Sequence, residues 1–405
     1  MKSALLIPIV TCLAATHALA APPSEKRISA LVLPMDKGSE ALTLKVESFA
    51  NDALNEYQGF KVRTSDDLFG VAADEEASAS LKRAEMGFKE SKAAFDERNY
   101  EDAERKLRAT IKEYGKAVGA MKNCGNLCDA VAMFGSVLQA RGDVEEAKIA
   151  ILDLLALSPT FELDRKRYPQ NFLSLKAQVA TSRNAQLRGS VTVKTKPSGA
   201  RVFLNGELQG YSPHTLQTLP IGKHLVKIER PGFKQLGLMV EITPEDQEIT
   251  SELIATSGYK AFDALMDRLA GEALKDKGGS TMISVANSLK LDRAVISVLK
   301  QASSESTELT MAYFDLKTGR RIAIKRVAFQ GDEFGQLRGE VERMVNHLVN
   351  SEGGGDKVTR SADPLDNKAG TEEWQGEDRG GKNVNREKKS KGGDPLDSAS
   401  GTDDW

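Results

Sequence analysis

Aromatic residues make up only 6% of the 405 positions, and the chain's two tryptophans, Trp374 and Trp405, fall within its last thirty-two residues, away from any periodic apolar pattern. Histidine is as scarce: His17, His214, His224 and His347 are the only four, and none has a spaced His or Cys neighbour to share a metal. Charge of one sign is missing too. Lys and Arg number 56 against 58 Asp and Glu, a net charge of -2, which excludes the basic footprint that phosphate backbones require, so no nucleic-acid partner is expected. No apolar run reaches the ~20 residues that span a bilayer, so no integral membrane segment is expected. The catalytic spacings are absent as well: no G-x-G-x-x-G follows a strand, and there is no G-x4-G-K-[ST], G-x-S-x-G or H-E-x-x-H. The chain therefore reads as a non-enzyme, with no catalytic residue, no metal site and no cofactor expected.

What is present starts with an address. Residues 1–20, MKSALLIPIVTCLAATHALA, combine Lys2, an apolar stretch from Ala4 to Ala15 and small residues at Ala18 and Ala20, which is the pattern of a secretory signal cut after Ala20. Thr11 before Cys12 is a poor fit to the small-residue rule for a lipid-modified cysteine. A periplasmic or cell-surface location is expected. Removal of the signal leaves Cys124 and Cys128 in KNCGNLCDAV, and an even count in an exported protein favours a local disulfide at a helix start over a redox or metal pair.

Residues 27–70 read as strand, helix, strand. Ile28 to Leu33 is a nearly continuous apolar run of the kind a fully buried strand shows, and Leu42, Val46, Phe49, Ala53 and Tyr57 recur at helical steps. Residues 76–187 read as helical throughout. Gly135, Leu138, Ala147, Ile151, Leu154 and Pro159 resemble a tetratricopeptide repeat; an upstream copy keeps Phe95, Tyr100, Ala103 and Leu107 but has Thr110 and Gly115 where alanine and proline are expected. The resemblance implies packed helical hairpins with a protein-facing surface, and an unrelated helical hairpin stays open as the alternative.

Residues 189–255 switch to period-two alternation broken by turn residues. Val191 and Val193 alternate with polar neighbours, Asn205-Gly206 is a strong hairpin signal, and His224, Val226 and Ile228 share one face. Pro197, Gly199-Ala200, Asn205-Gly206, Gly210, Pro213, Leu219-Pro220, Gly222 and Pro231-Gly232 resemble the PEGA family. That resemblance implies a small β-sandwich of surface-layer and envelope proteins with an adhesive or scaffolding role and no known chemistry.

Residues 258–350 read as a helix carrying Phe262, Leu265, Leu269 and Ala273, a second through Met282, Val285, Ala286 and Leu289, three strands, and a closing helix with Leu337, Val341, Met344 and Leu348 on one stripe. Their order resembles the α/β domains of TolB-like and CsgG-like proteins, so 27–70 and roughly 279–350 make either one split domain or two small ones. Residues 351–405 hold 13 acidic and 9 basic residues and almost nothing apolar, a composition expected to be disordered in isolation. Within them D-P-L-D-x3-G-T-[DE]-[DE]-W occurs twice, ending at Trp374 and at Trp405.

The expected fold is thus multidomain α+β: an α/β domain, tetratricopeptide-like hairpins, a PEGA-type sandwich and a disordered tail. Tryptophan is costly to leave in water and common at binding hot spots, so Leu365, Trp374, Leu396 and Trp405 are the expected partner-binding residues. Their acidic flanks call for an envelope protein whose apolar pocket has a basic rim. Two copies on one tether raise apparent affinity. A cell-wall glycan held by the PEGA-like segment is the other reading of the partner.

Overall fold

The computed structural model describes residues 25–182, 188–303, 306–330 and 334–352; residues 1–20, and from residue 353 onward the tail with Leu365, Trp374, Leu396 and Trp405, lie outside the described residues. The apolar run becomes β1 (Lys26–Pro34), followed by α1 (Thr43–Leu54), β2 (Phe60–Val62) and α2 (Ser65–Phe69). α2 begins with a reciprocal capping box between Thr64 and Asp67, which satisfies two backbone donors at its start. Next come α3 (Glu75–Asp96), α4 (Tyr100–Lys116), α5 (Gly125–Arg141), α6 (Val144–Leu157) and α7 (Gln170–Ser182). The strands β3 (Arg188–Lys196), β4 (Arg201–Leu204), β5 (Glu207–Tyr211), β6 (His214–Pro220), β7 (Gly222–Glu229), β8 (Leu236–Ile242) and β9 (Asp246–Glu252) follow. The described chain closes with α8 (Ser257–Asp263), α9 (Met266–Ala273), α10 (Ser280–Leu289), β10 (Arg293–Gln301), β11 (Ser306–Asp315), β12 (Arg320–Gln330) and α11 (Phe334–Asn350). Among the described residues this makes an α+β protein of eleven helices and three sheets.

The largest sheet has the order β12-β11-β10-β1-β2 and draws strands from both ends of the described chain. β1 lies parallel to β10, with Ile28 opposite Arg293 and Pro34 opposite Leu299, and parallel to β2 on its other side. α1 and α11 pack on one face against Val295, Leu309, Met311 and Tyr313; α9 and α10 pack on the other against Leu31, Leu33, Ile296 and Phe314. Burial on both faces is the physical reason that β1 and β10 read as unbroken apolar runs instead of alternating ones.

In the helical segment α3 packs on α4 and α5 on α6, with Ala103 and Ala147 fully buried at the contacts. A methyl group on Gly135 would stand 3.2 Å from the Phe172 ring and 3.4 Å from Ala150, so this glycine is what lets α5 approach both α6 and α7. Thr110, where the repeat pattern expects alanine, is accommodated by a second glycine: a methyl on Gly87 of α3 would meet the Thr110 hydroxyl at 2.6 Å. The helical reading of 76–187 needs correction between Ser158 and Pro169, which carry no helix. Pro159 ends the repeat there, and Tyr168 is buried with its ring 5.6 Å from Phe172 and 6.0 Å from Phe95, closing the helical core. The single helix expected from Phe262 to Ala273 is likewise two. The break at Ala264 lets α8 lie on α2, with the rings of Phe262 and Phe69 4.9 Å apart, while α9 lies on β10.

Candidate functional site

The segment 188–254 folds into two sheets, β6-β3-β9 and β5-β4-β7-β8, that face each other across Val191, Val193, Val202, Val226, Ile228 and Ile242. Asn205 and Gly206 take φ of 51° and 96°, the left-handed pair that a two-residue hairpin turn requires. His224 is buried on β7; its Nε2 lies 2.9 Å from the Pro220 carbonyl and its Nδ1 3.2 Å from the Asn205 amide, so both ring nitrogens are occupied in structural hydrogen bonds. His347 is exposed on α11. Turns and core packing therefore absorb the polar and glycine positions that make this segment distinctive.

Those same turns hold the sandwich to its neighbours. Against the helical segment, the Asn205 side-chain amide donates to the Ala156 carbonyl at 2.9 Å, and the buried Asp153 carboxylate accepts from the Lys223 backbone N–H at 3.0 Å and pairs with its ammonium at 2.8 Å. Gly206 rests on the backbone of Lys122 and Asn123, beside the pair Cys124–Cys128, whose sulfurs lie at disulfide distance, 2.06 Å apart, at the start of α5. Leu225, on the opposite face of β7 from His224, is buried in the helical core and not in the sandwich. Against the α/β sheet, the Arg201 guanidinium grips the Asp66 carboxylate with two hydrogen bonds of 2.8 and 2.6 Å. Gly232 donates to the Gly70 carbonyl at 2.6 Å and lies under the Tyr259 ring, which is 4.7 Å from Phe233. Beneath this junction Glu47 is buried; burial pushes its carboxyl above the ordinary value, against hydrogen bonds from the Ser65 hydroxyl and N–H at 2.6 and 2.7 Å.

Among the concavities of the described residues, two are lined mainly by apolar surface. One, of about 380 Å³, is apolar and lined by Leu68, Phe69, Tyr259, Phe262 and Val285 between α2, α8 and α10. The other, of about 540 Å³, opens where β1 and β10 end, between Met35, Asp36, Val298, Lys300 and Arg326, the position at which open α/β sheets hold ligands. The Asp36 carboxylate there accepts from the backbone N–H groups of Ser39 and Gln301 at 2.9 and 2.8 Å, and Arg326 is paired with Glu308 at 3.0 Å. Neither concavity brings a nucleophile, a base and an orienting group together. Among the described residues no three His, Cys, Asp or Glu side chains are placed to hold a metal ion.

Two sheet edges carry charge of a single sign. β12 carries Arg320, Arg321, Lys325 and Arg326 and no acid, within a stretch that has none between Asp315 and Asp332; β9 carries Asp246, Glu248 and Glu252 and no base. Both are outermost strands of their sheets.

A two-sheet sandwich built around turn glycines and prolines thus sits between a helical hairpin array and an α/β sheet. Residues 188–254 match the PEGA domain family. No curated protein matches the chain. No helix among the described residues is long and apolar enough to cross a membrane.

Proposed function

We propose that this chain is a non-enzymatic adaptor of a bacterial cell-envelope assembly, exported by its first twenty residues to the periplasm or cell surface, which gathers protein partners through its helical segment, its PEGA domain and the two Trp motifs of its tail. The observation that carries this reading is the use made of the PEGA turns. Gly206, Gly222 and Gly232, with Asn205 and Arg201, are spent on contacts to the helical segment and the α/β sheet, so the domain joins the other two into one body. A holder of small ligands keeps such loops free to face its ligand; a structural hub commits them to neighbouring modules.

The alternative partner, a cell-wall glycan, finds less support. The outward residues of the three-stranded sheet are Ser190, Thr192, Lys194, Thr215, Glu248 and Thr250, already paired with one another in part: Thr192 with Thr215 at 2.9 Å and Lys194 with Glu248 at 2.6 Å. No aromatic platform lies among them for a sugar ring to stack on.

Tryptophan emission tests the adaptor reading, because Trp374 and Trp405 are the only tryptophans and report on the motifs alone. The expected result is a water-like spectrum that shifts to the blue on addition of envelope extract, and fails to shift in a Trp374→Ala, Leu365→Ala, Leu396→Ala variant. An unchanged spectrum with extract, together with retention of the tail-intact protein on purified cell wall, would move the function to glycan binding by the PEGA domain.

A further inference from the structure

The two outer strands of opposite charge point to a surface through which copies of the chain join. β12 is eleven residues long and pairs with β11 along one side only. Its other side is met at Arg320 and Arg321 by the segment Asp276–Gly278, and from Ile322 to Gln330 no described strand pairs with it. The residues along this stretch are exposed or half-buried, including Ile324, Lys325 and Arg326. β9 is seven residues long, pairs in parallel with β3 on one side, and alternates exposed with half-buried residues from Asp246 to Glu252. An unpaired row of backbone N–H and C=O groups is a template for another strand, and folded proteins either block such an edge or use it.

We infer that β12 of one copy takes β9 of a second copy as its next strand, so that the chain assembles head to tail. Charge selects this pairing over the others. Two β12 strands would double four positive charges in one ribbon and two β9 strands would double three negative ones, whereas β12 with β9 sets them against each other. In an antiparallel register with Lys325 opposite Glu248, Ile322 faces Ser251 and Val327 faces Asp246; Glu252, the last residue of β9, falls beside Arg321, whose N–H is already taken by Asp276, so the new pairing ends at Ser251. Lys194 of β3 also reaches Glu248, at 2.6 Å, and shares that carboxylate with the incoming lysine instead of excluding it. Because the two edges differ, the contact is heterologous: each copy keeps one edge open, and assembly continues until a rotation closes a ring. This goes beyond the adaptor reading and does not depend on it, since neither strand belongs to the tail or to the docking turns of the PEGA domain.

The test is the mass of the purified full-length chain by light scattering and sedimentation, over a hundredfold range of concentration and from low to high salt. The expected result is a mass that climbs with concentration at low salt and falls as salt screens the edge charges. Lys325→Glu and Glu248→Lys, both at exposed positions, should each weaken association by roughly fivefold or more, the size of turning one cross-strand attraction into a repulsion. The double variant carrying both changes should recover it, a rescue that simple loss of folding would not give, and unchanged melting curves would confirm that the single variants fold. A chain that stays monomeric at every concentration overturns the inference. So does association that neither single variant weakens, which would place a different surface between copies, or one that the double variant fails to restore, which would mean that Lys325 and Glu248 do not face each other across the contact.

Discussion

The backbone of Gly237 in β8 runs against the backbone of Gly119, in the short helical turn Val118–Ala120, so closely that a methyl group on Gly237 would stand 1.9 Å from the Gly119 nitrogen and have to displace that chain. This is the tightest meeting of the PEGA domain with the helical segment, and Met239 continues it by packing near Gly115. Gly237→Ala is expected to destabilise the protein by about 1–3 kcal/mol, since interiors this dense answer an added methyl with backbone shifts. Gly271→Ala, in an exposed turn of α9 with nothing within 4 Å of the new methyl, should be neutral or stabilise by up to about 1 kcal/mol through its helix preference. Urea unfolding of the two variants checks both signs together; equal effects would mean that the Gly119–Gly237 approach is not a point of strain.

Asp153 ties α6 to β7 by accepting from both the backbone and the side chain of Lys223. Asp153→Ala leaves a half-buried N–H without its acceptor and is expected to cost about 1–3 kcal/mol. Asp153→Asn keeps an acceptor oxygen and loses only the ionic part, so it should cost less. If the alanine and asparagine variants unfold at the same denaturant concentration, the backbone hydrogen bond contributes nothing and the ion pair carries the contact.

How these contacts escape a reading of the sequence follows from what periodicity can report. The alternation of β3, the unbroken apolar runs of β1 and β10, the Asn205-Gly206 turn and the glycine at Gly135 each state how one segment presents its own faces, and the α+β class with its sandwich is legible from them. Leu225 shows the limit. On β7 it falls on the face opposite Val226 and Ile228, and only the helical core explains why an apolar side chain belongs there. Gly237 is equally silent, because it has no positive φ and is small only on account of the Gly119 backbone it meets. Arg201 and Asp66, far apart in sequence, look like two of many surface charges until the fold sets them face to face. Of the expected site residues, Cys124 and Cys128 lie together at the foot of the hairpin that Gly206 caps, while the four tail positions fall outside the described residues.

Cys124 and Cys128 close a very short loop, for which chain entropy predicts a stabilisation of about 2 kcal/mol. Their position, directly after the Lys122–Asn123 backbone that receives Gly206, gives the loop a second consequence: it fixes the seat of the β4–β5 hairpin. A Cys124→Ala, Cys128→Ala variant should lose about that much stability in denaturant and exchange its Asn205 and Gly206 amides faster, with the rest of the sandwich unchanged. Reduction of the unaltered protein should reproduce both effects. Faster exchange spread evenly over the sandwich would show that the cysteines stabilise the whole body and have no particular hold on the hairpin.

Glu352, just beyond α11, joins the last described turn to the sheet by accepting from Arg293 at 2.8 Å, from the Tyr313 hydroxyl at 2.5 Å and from Lys26 at 3.3 Å. Burial works against its charge, but the hydrogen bonds from Arg293 and Tyr313 outweigh it and bring the carboxyl down from 4.5 to about 2. The folded state therefore takes up this proton less readily than the unfolded chain. The stabilisation is fully present above pH 4.5 and is lost as the pH falls from there toward 2. Asp292, held low by the Arg27 guanidinium that it grips, loses its contribution over the same descent, so the wild type alone cannot separate the two. Glu352→Gln separates them. At neutral pH the variant should be less stable than the wild type, and the gap should close as the pH drops toward 2, where the wild-type carboxyl is itself protonated. Denaturant midpoints at pH 7, 4 and 2.5 check this, and a gap that stays constant with pH would show that Glu352 acts through packing and not through its charge.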